Sequence, residues 1–238
     1  MSAWIRCSSA FKGGRPRVPV FTAGPRFDAR PPYPKESAYA HLDRSARPEA
    51  DALRSLIEDW LGLYPVAEES DLDARLRSPR DDQHRSAFFE LLLHRVLLAL
   101  GHGIPAVEPK LAHTWKTPDF LIESREGERF YMEAVSAQGG DLHAVLKRKA
   151  SRYGALDLPL VVAVNSPQDE AGLRRALDTL WHGPRGPQRR TLSAVLVVDQ
   201  ACPWTFREGR IRLVRNPWAE IPLPPVDLGD GHRIGELV

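Results

Sequence analysis

An α/β fold with a mixed central sheet is what this chain implies, and three features imply it. Residues 158–164 and 192–198 are continuous apolar runs, the pattern of strands buried on both faces. Residues 169–181 between them have apolar side chains at helical spacing. Upstream, residues 117–123 and 128–136 are apolar segments separated by Arg125-Glu126-Gly127-Glu128, a charged stretch with a glycine that reads as a hairpin turn. Strands that alternate with helices require helices on both faces of the sheet, and the hairpin makes that sheet mixed.

Taken in chain order, residues 1–46 form a basic extension rich in Pro, Gly and Arg, for example Gly13-Gly14-Arg15-Pro16-Arg17 and Arg30-Pro31-Pro32-Tyr33-Pro34. Such composition buries too little apolar surface to offset the entropy of ordering, so an irregular, solvated tail is expected. Residues 47–238 then form one domain with a Pro-rich C-terminal segment. Residues 48–63 space Leu53, Leu56, Ile57, Trp60 and Leu61 as a helix face, with Pro48 suited to the first turn. A stronger helix runs from Arg80-Asp81-Asp82 through Leu100, with Phe88, Phe89, Leu92, Leu93, Val96 and Leu97 as its apolar positions; Gly101 and Gly103 end it. A short extended run at 104–107 leads to the hairpin. A helix over 141–153 follows, with Asp141 as its N-cap. The two buried strands and their intervening helix come next, and residues 212–214 form an edge strand.

Composition sets outer limits on function. The 42% apolar fraction is enough for a core, and a formal charge of +2 does not by itself imply nucleic acid. The charge is unevenly placed, however. Up to Lys35 the chain carries Arg6, Lys12, Arg15, Arg17, Arg26, Arg30 and Lys35 against the single acid Asp28, and further basic clusters stand at 147–152 and 185–190. Two cysteines, Cys7 and Cys202, make neither a disulfide framework nor a zinc pattern, which fits a reducing, cytoplasmic compartment. No apolar run approaches the roughly 20 residues of a membrane helix.

The chemistry centres on the hairpin. Asp119, in Pro118-Asp119-Phe120, and Glu133, in Phe130-Tyr131-Met132-Glu133-Ala134-Val135, are acids embedded in apolar sequence. Half-buried carboxylates are costly unless compensated, and a hard divalent cation is one compensation. An Asp at a strand entry and a Glu at an exposed strand position are the structural alternative. In the next helix Leu142, Leu146, Lys149 and Tyr153 fall on one face. Lys149 therefore points toward Glu133, whereas Lys147 points elsewhere. Tyr153 is expected to pack on the sheet with its hydroxyl partnered.

Together the element order, Glu90 in Phe88-Phe89-Glu90-Leu91, Pro118-Asp119 and Glu133 resemble the PD-(D/E)XK nuclease superfamily, over residues 84–200. That resemblance implies a restriction-endonuclease-like fold and a metal-dependent nuclease that hydrolyses phosphodiester bonds in nucleic acid, with DNA the expected substrate. It implies Mg²⁺ or Mn²⁺ held by Asp119, Glu133 and the carbonyl of Ala134, with Glu90 orienting a water. The family's Glu-x-Lys lysine is replaced here by Val135. The resemblance allows its relocation to the following helix, where Lys149 is the expected substitute, with Lys147 and Gln138 behind it. Glu90 has a structural alternative, pairing with His94 one turn on. Loss of the motif lysine also permits a catalytically inactive module that binds nucleic acid or a protein partner. A homodimer is compatible with either reading.

Overall fold

The computed structural model describes residues 18–65, 69–137, 142–166, 170–182, 190–199 and 201–238. Among these the chain is a mixed α/β structure around a six-stranded sheet whose spatial order follows the sequence. The strands are β1 (Gly103–Val107), β2 (Phe120–Glu123), β3 (Arg129–Ser136), β4 (Leu160–Asn165), β5 (Ala194–Val198) and β6 (Ile211–Arg215). β1, β2 and β3 form an antiparallel meander, β3, β4 and β5 are parallel, and β6 returns antiparallel to β5.

The expected elements are present with shifted ends. The helices are α1 (Ala38–Arg44), α2 (Pro48–Leu61), α3 (Glu69–Leu76), α4 (Asp81–Ala99), α5 (Leu142–Ala150), α6 (Glu170–His182) and α7 (Ile234–Leu237). β4 and β5 are buried along their whole length, as continuous apolar runs between two helical layers should be. One layer comprises α5 and α6, which cover Tyr131, Val162, Val164, Val195 and Val197. The other is built on α4, which covers Phe120, Met132, Val161, Ala163 and Leu196. α4 is buried nearly all round, because α2, α3 and the N-terminal segment pack on its far side.

That outer packing corrects the expectation of a solvated tail to residue 46. From residue 18 onward the extension joins the fold: Val20, Phe21 and Leu42 are buried in the α4 core. Ordering a Pro-rich segment is made favourable by specific polar anchors. Arg54, 5% exposed, donates to the carbonyls of Leu42 (2.6 Å) and Ser45 (2.8 Å), satisfying the open end of α1. Asp81 accepts from the Ala38 N–H at 2.8 Å, closing the other end. Asp43 accepts from both the N–H and the hydroxyl of Thr22, at 2.8 and 2.7 Å. The N-cap assigned to Asp141, Gln138, Cys7 and the cluster 185–189 lie outside the described residues. Among the described residues no helix is long and apolar enough to cross a membrane.

Candidate active site

The hairpin register decides whether the two acids share a face. Phe120 pairs with Met132 and Leu121 with Tyr131, so extending the pairing by one residue sets Asp119 opposite Glu133. Side chains directly opposite in an antiparallel pair lie on the same face. Phe130 and Met132 point to the α4 core, and Tyr131 to the α5/α6 core. Alternation therefore aims Glu133 at α5. Asp119 precedes β2, and its Oδ2 accepts the Ala134 N–H at 2.5 Å, which ties the entry of β2 to the middle of β3. Ala134 thus joins the site through its N–H.

Glu133 is 1% exposed and is surrounded by donors. Its Oε1 accepts from the ammonium of Lys149 and, at 2.9 Å, from Arg152. Its Oε2 accepts from the Tyr153 hydroxyl, which also lies 3.2 Å from the Thr117 carbonyl. A buried carboxylate with one neighbouring cation would be unfavourable; two cations and a hydroxyl make it tolerable. α5 stops at Ala150, yet the turn after it holds the helical arc, with the Arg152 N–H bonding the Lys149 carbonyl at 3.1 Å. Lys149 and Tyr153 therefore stay on the face anchored by Leu142 and Leu146, both fully buried. The burial of Tyr153 among these charges raises its hydroxyl pKa, so it remains a donor.

Glu90, 6% exposed, comes from α4 on the opposite layer. Its Oε1 accepts from the Tyr64 hydroxyl at 2.7 Å and its Oε2 from Arg75 at 2.8 Å. The pairing with His94 is not formed: His94 instead stacks near Tyr64, and its Nδ1 has no partner. Both carboxylate oxygens of Glu90 are thus held from behind by α3 and by the segment after α2. Its link to the hairpin acids is electrostatic.

Asp119 is where these fields meet. Its carboxyl pKa is pushed well above the usual carboxylate range, by burial foremost and then by the negative charges of Glu133 and Glu90. Its carboxylate bonds a backbone N–H, whereas Glu133 and Glu90 each bond cationic side chains. Of these three carboxylates, Asp119 is the one with no cationic hydrogen-bond partner among the described residues.

The structure brings Asp119, Glu133 and Lys149 together and sets Glu90 within electrostatic range of Asp119. Three further residues belong to the cluster. Arg152 was visible only as part of a basic run, although it stands three residues past Lys149. Tyr64 and Arg75 reach Glu90 from 26 and 15 residues away, and no local pattern marks them. Among the described residues no group of three His, Cys, Asp or Glu side chains is arranged to hold a metal ion. Compared with family models, with curated proteins and with solved structures, the chain matches none.

Proposed function

We propose that this protein is a divalent-metal-dependent nuclease with a restriction-endonuclease-like fold, hydrolysing phosphodiester bonds in nucleic acid, with DNA as the substrate class. The observation that carries the proposal is the ion pair between Lys149 of α5 and Glu133 of β3, beside Asp119. It supplies from the helix the cation that Val135 removes from the strand. The element order, an acidic helix, a hairpin, a second helix and a parallel strand, agrees with that fold.

Asp119 and Glu133 are the residues that would hold Mg²⁺ or Mn²⁺. Magnesium keeps several waters and uses few protein carboxylates, so a pair suffices where no triad exists. The raised pKa of Asp119 fits such a site, because an adjacent cation would keep the carboxyl ionised. A bound ion would polarise the phosphodiester and acidify a water. The remaining work falls to side chains. Lys149, with only 12% of its side chain exposed, offers a fixed ammonium for the charge that develops on the phosphoryl oxygens. Arg152 adds a planar donor on the same side. Tyr153 fixes the orientation of Glu133, and Tyr64 and Arg75 fix Glu90.

One observation favours the second reading, an inactive module of the same fold. Both oxygens of Glu133 are already engaged by side-chain donors. A metal ligand there must share or exchange one of them.

Incubating the full chain with plasmid and with single-stranded DNA in Mg²⁺ and in Mn²⁺ separates the two readings. Cleavage that is lost in Asp119→Asn, and falls about 100-fold or more in Lys149→Ala, is expected for the enzyme. Intact substrate under every condition, with folded protein, leaves the inactive module.

A further inference from the structure

Beside the acidic pair, Lys116, Arg148, Lys149, Ser151 and Arg152 line a pocket of about 440 Å³. Four of its five lining residues are cations, and no acid lines it. Two of those cations, Lys149 and Arg152, are spoken for by Glu133. The other two have no carboxylate partner among the described residues. Arg148 is exposed on the outer face of α5. Lys116 lies over the ring of Trp115, 5.8 Å from its centroid. Trp115 is 87% exposed, in the loop that leads into Asp119. Trp204 and Trp218, the other exposed tryptophans among the described residues, keep only about half of their surface open.

We infer that this pocket seats a backbone phosphate of a single-stranded nucleic acid, with Trp115 stacking on the neighbouring base. Free cations gathered in a concave patch without acids recognise a polyanion, and such sites draw affinity from counterion release. A phosphate there would lie against Lys149 and Arg152, the same cations that touch Glu133. The pocket therefore joins the outer strand path to the acidic pair. The bare indole decides between single strand and duplex. Bases in a duplex hide their faces in the stack, whereas an unpaired base offers its face to an aromatic platform. Lys116 ties the two parts together, since it lines the phosphate pocket and caps the ring. This assignment deepens the nuclease proposal by naming the strand form and the residues that hold it.

The test measures binding without cleavage. Fluorescence anisotropy of a labelled single-stranded oligodeoxynucleotide, and of its duplex, is followed against salt with the full-length chain and a chelator in the buffer. The variants are Lys116→Ala/Arg148→Ala and Trp115→Ala, surface changes outside the acidic cluster, each checked for an unchanged melting temperature. The double variant is expected to bind at least about tenfold more weakly and to lower the salt slope by about 1.4, the value for two lost contacts to a single strand. Trp115→Ala is expected to lose about fivefold or more for the single strand with little change in slope, and to leave duplex binding unaffected. Affinity and slope unchanged in the double variant would overturn the phosphate seat; equal loss for duplex and single strand in Trp115→Ala would overturn the stacking. If the wild-type chain cuts nothing yet these losses appear, the seat stands and the nuclease proposal falls. If it cuts DNA and the variants bind normally, the reverse holds.

Discussion

At the residue scale the site is a contest between burial and charge, and Asp119 is the loser. Glu133 is held by donors from Lys149, Arg152 and Tyr153, whereas Asp119 accepts from a backbone N–H and faces the negative charges of Glu133 and Glu90. Its pKa is higher in the folded chain than in the unfolded one, so the folded state binds the extra proton. Stability then falls as pH rises from the unfolded carboxylate range, near 4, through the raised folded value. Without divalent metal, Asp119→Asn is expected to remove that slope and to stabilise the protein at neutral pH. Thermal melts of both proteins across pH test this. A lower melting temperature for Asp119→Asn at neutral pH would contradict it. Lys149 was legible in the sequence because one helical period links it to Leu142 and Leu146. The partners of Glu90 were not: Tyr64 and Arg75 arrive through tertiary packing, which leaves no trace in local spacing.

At the element scale α4 carries a second titratable strain. His94 is 2% exposed, sits 4.8 Å from Tyr64 and 6.2 Å from Phe120 between ring centroids, and has an unpartnered Nδ1. Burial foremost, with a further push from Arg95, lowers its pKa to about 4. The unfolded imidazole binds its proton near 6.5, so the unfolded state holds more protons between the two values. The stability that neutral His94 supports is therefore complete above pH 6.5 and is lost as pH falls toward 4, by up to about 3 kcal/mol. His94→Phe, which keeps the aromatic packing, should flatten the acid limb of a stability curve between those pH values. Urea unfolding at pH 5 and pH 7 reads this directly; an unchanged difference between them would show that His94 does not titrate with unfolding. The elements themselves were largely foreseeable, since apolar period and turn residues mark α2, α4, α6 and all six strands. α1, α3 and α7 were missed because each is short and its local pattern is weak; Asp81 and Arg54 anchor α1, and Arg75 ties α3 to Glu90 of α4.

At the scale of the whole molecule, the chain past β5 closes the fold. A 3-10 turn at Phe206–Glu208 leads to Gly209, whose backbone lies so close to the Asp199 carbonyl that a Cβ would collide with it. Ile234 of α7 packs on the same glycine and is fully buried. Because backbone confronts backbone, a side chain cannot swing aside. Gly209→Ala is expected to cost about 2 to 3 kcal/mol and to lower the melting temperature by several degrees, while Gly231→Ala, at positive φ but with open space where its Cβ would stand, costs less. Calorimetry of the two variants compares them; equal losses would refute the collision. The folding of residues 18–46 onto α4 belongs to this scale too. Its composition argued for a solvated tail, and only the docking of Phe21 and Leu42 with the carbonyl anchors of Arg54 reverses that balance.

The borders of the sheet carry a final consequence. β1 contains Pro105, which has no N–H to offer, and its register slips between Gly103 and Ala106. On the far side, residues 230–232 lie along β6, where the Ile211 N–H bonds the His232 carbonyl, the Gly231 N–H bonds the Ile211 carbonyl and Asp230 takes the Leu213 N–H. Neither margin offers an unbroken row of amides for a stranger to copy, so the sheet stops at six and resists growth into aggregates.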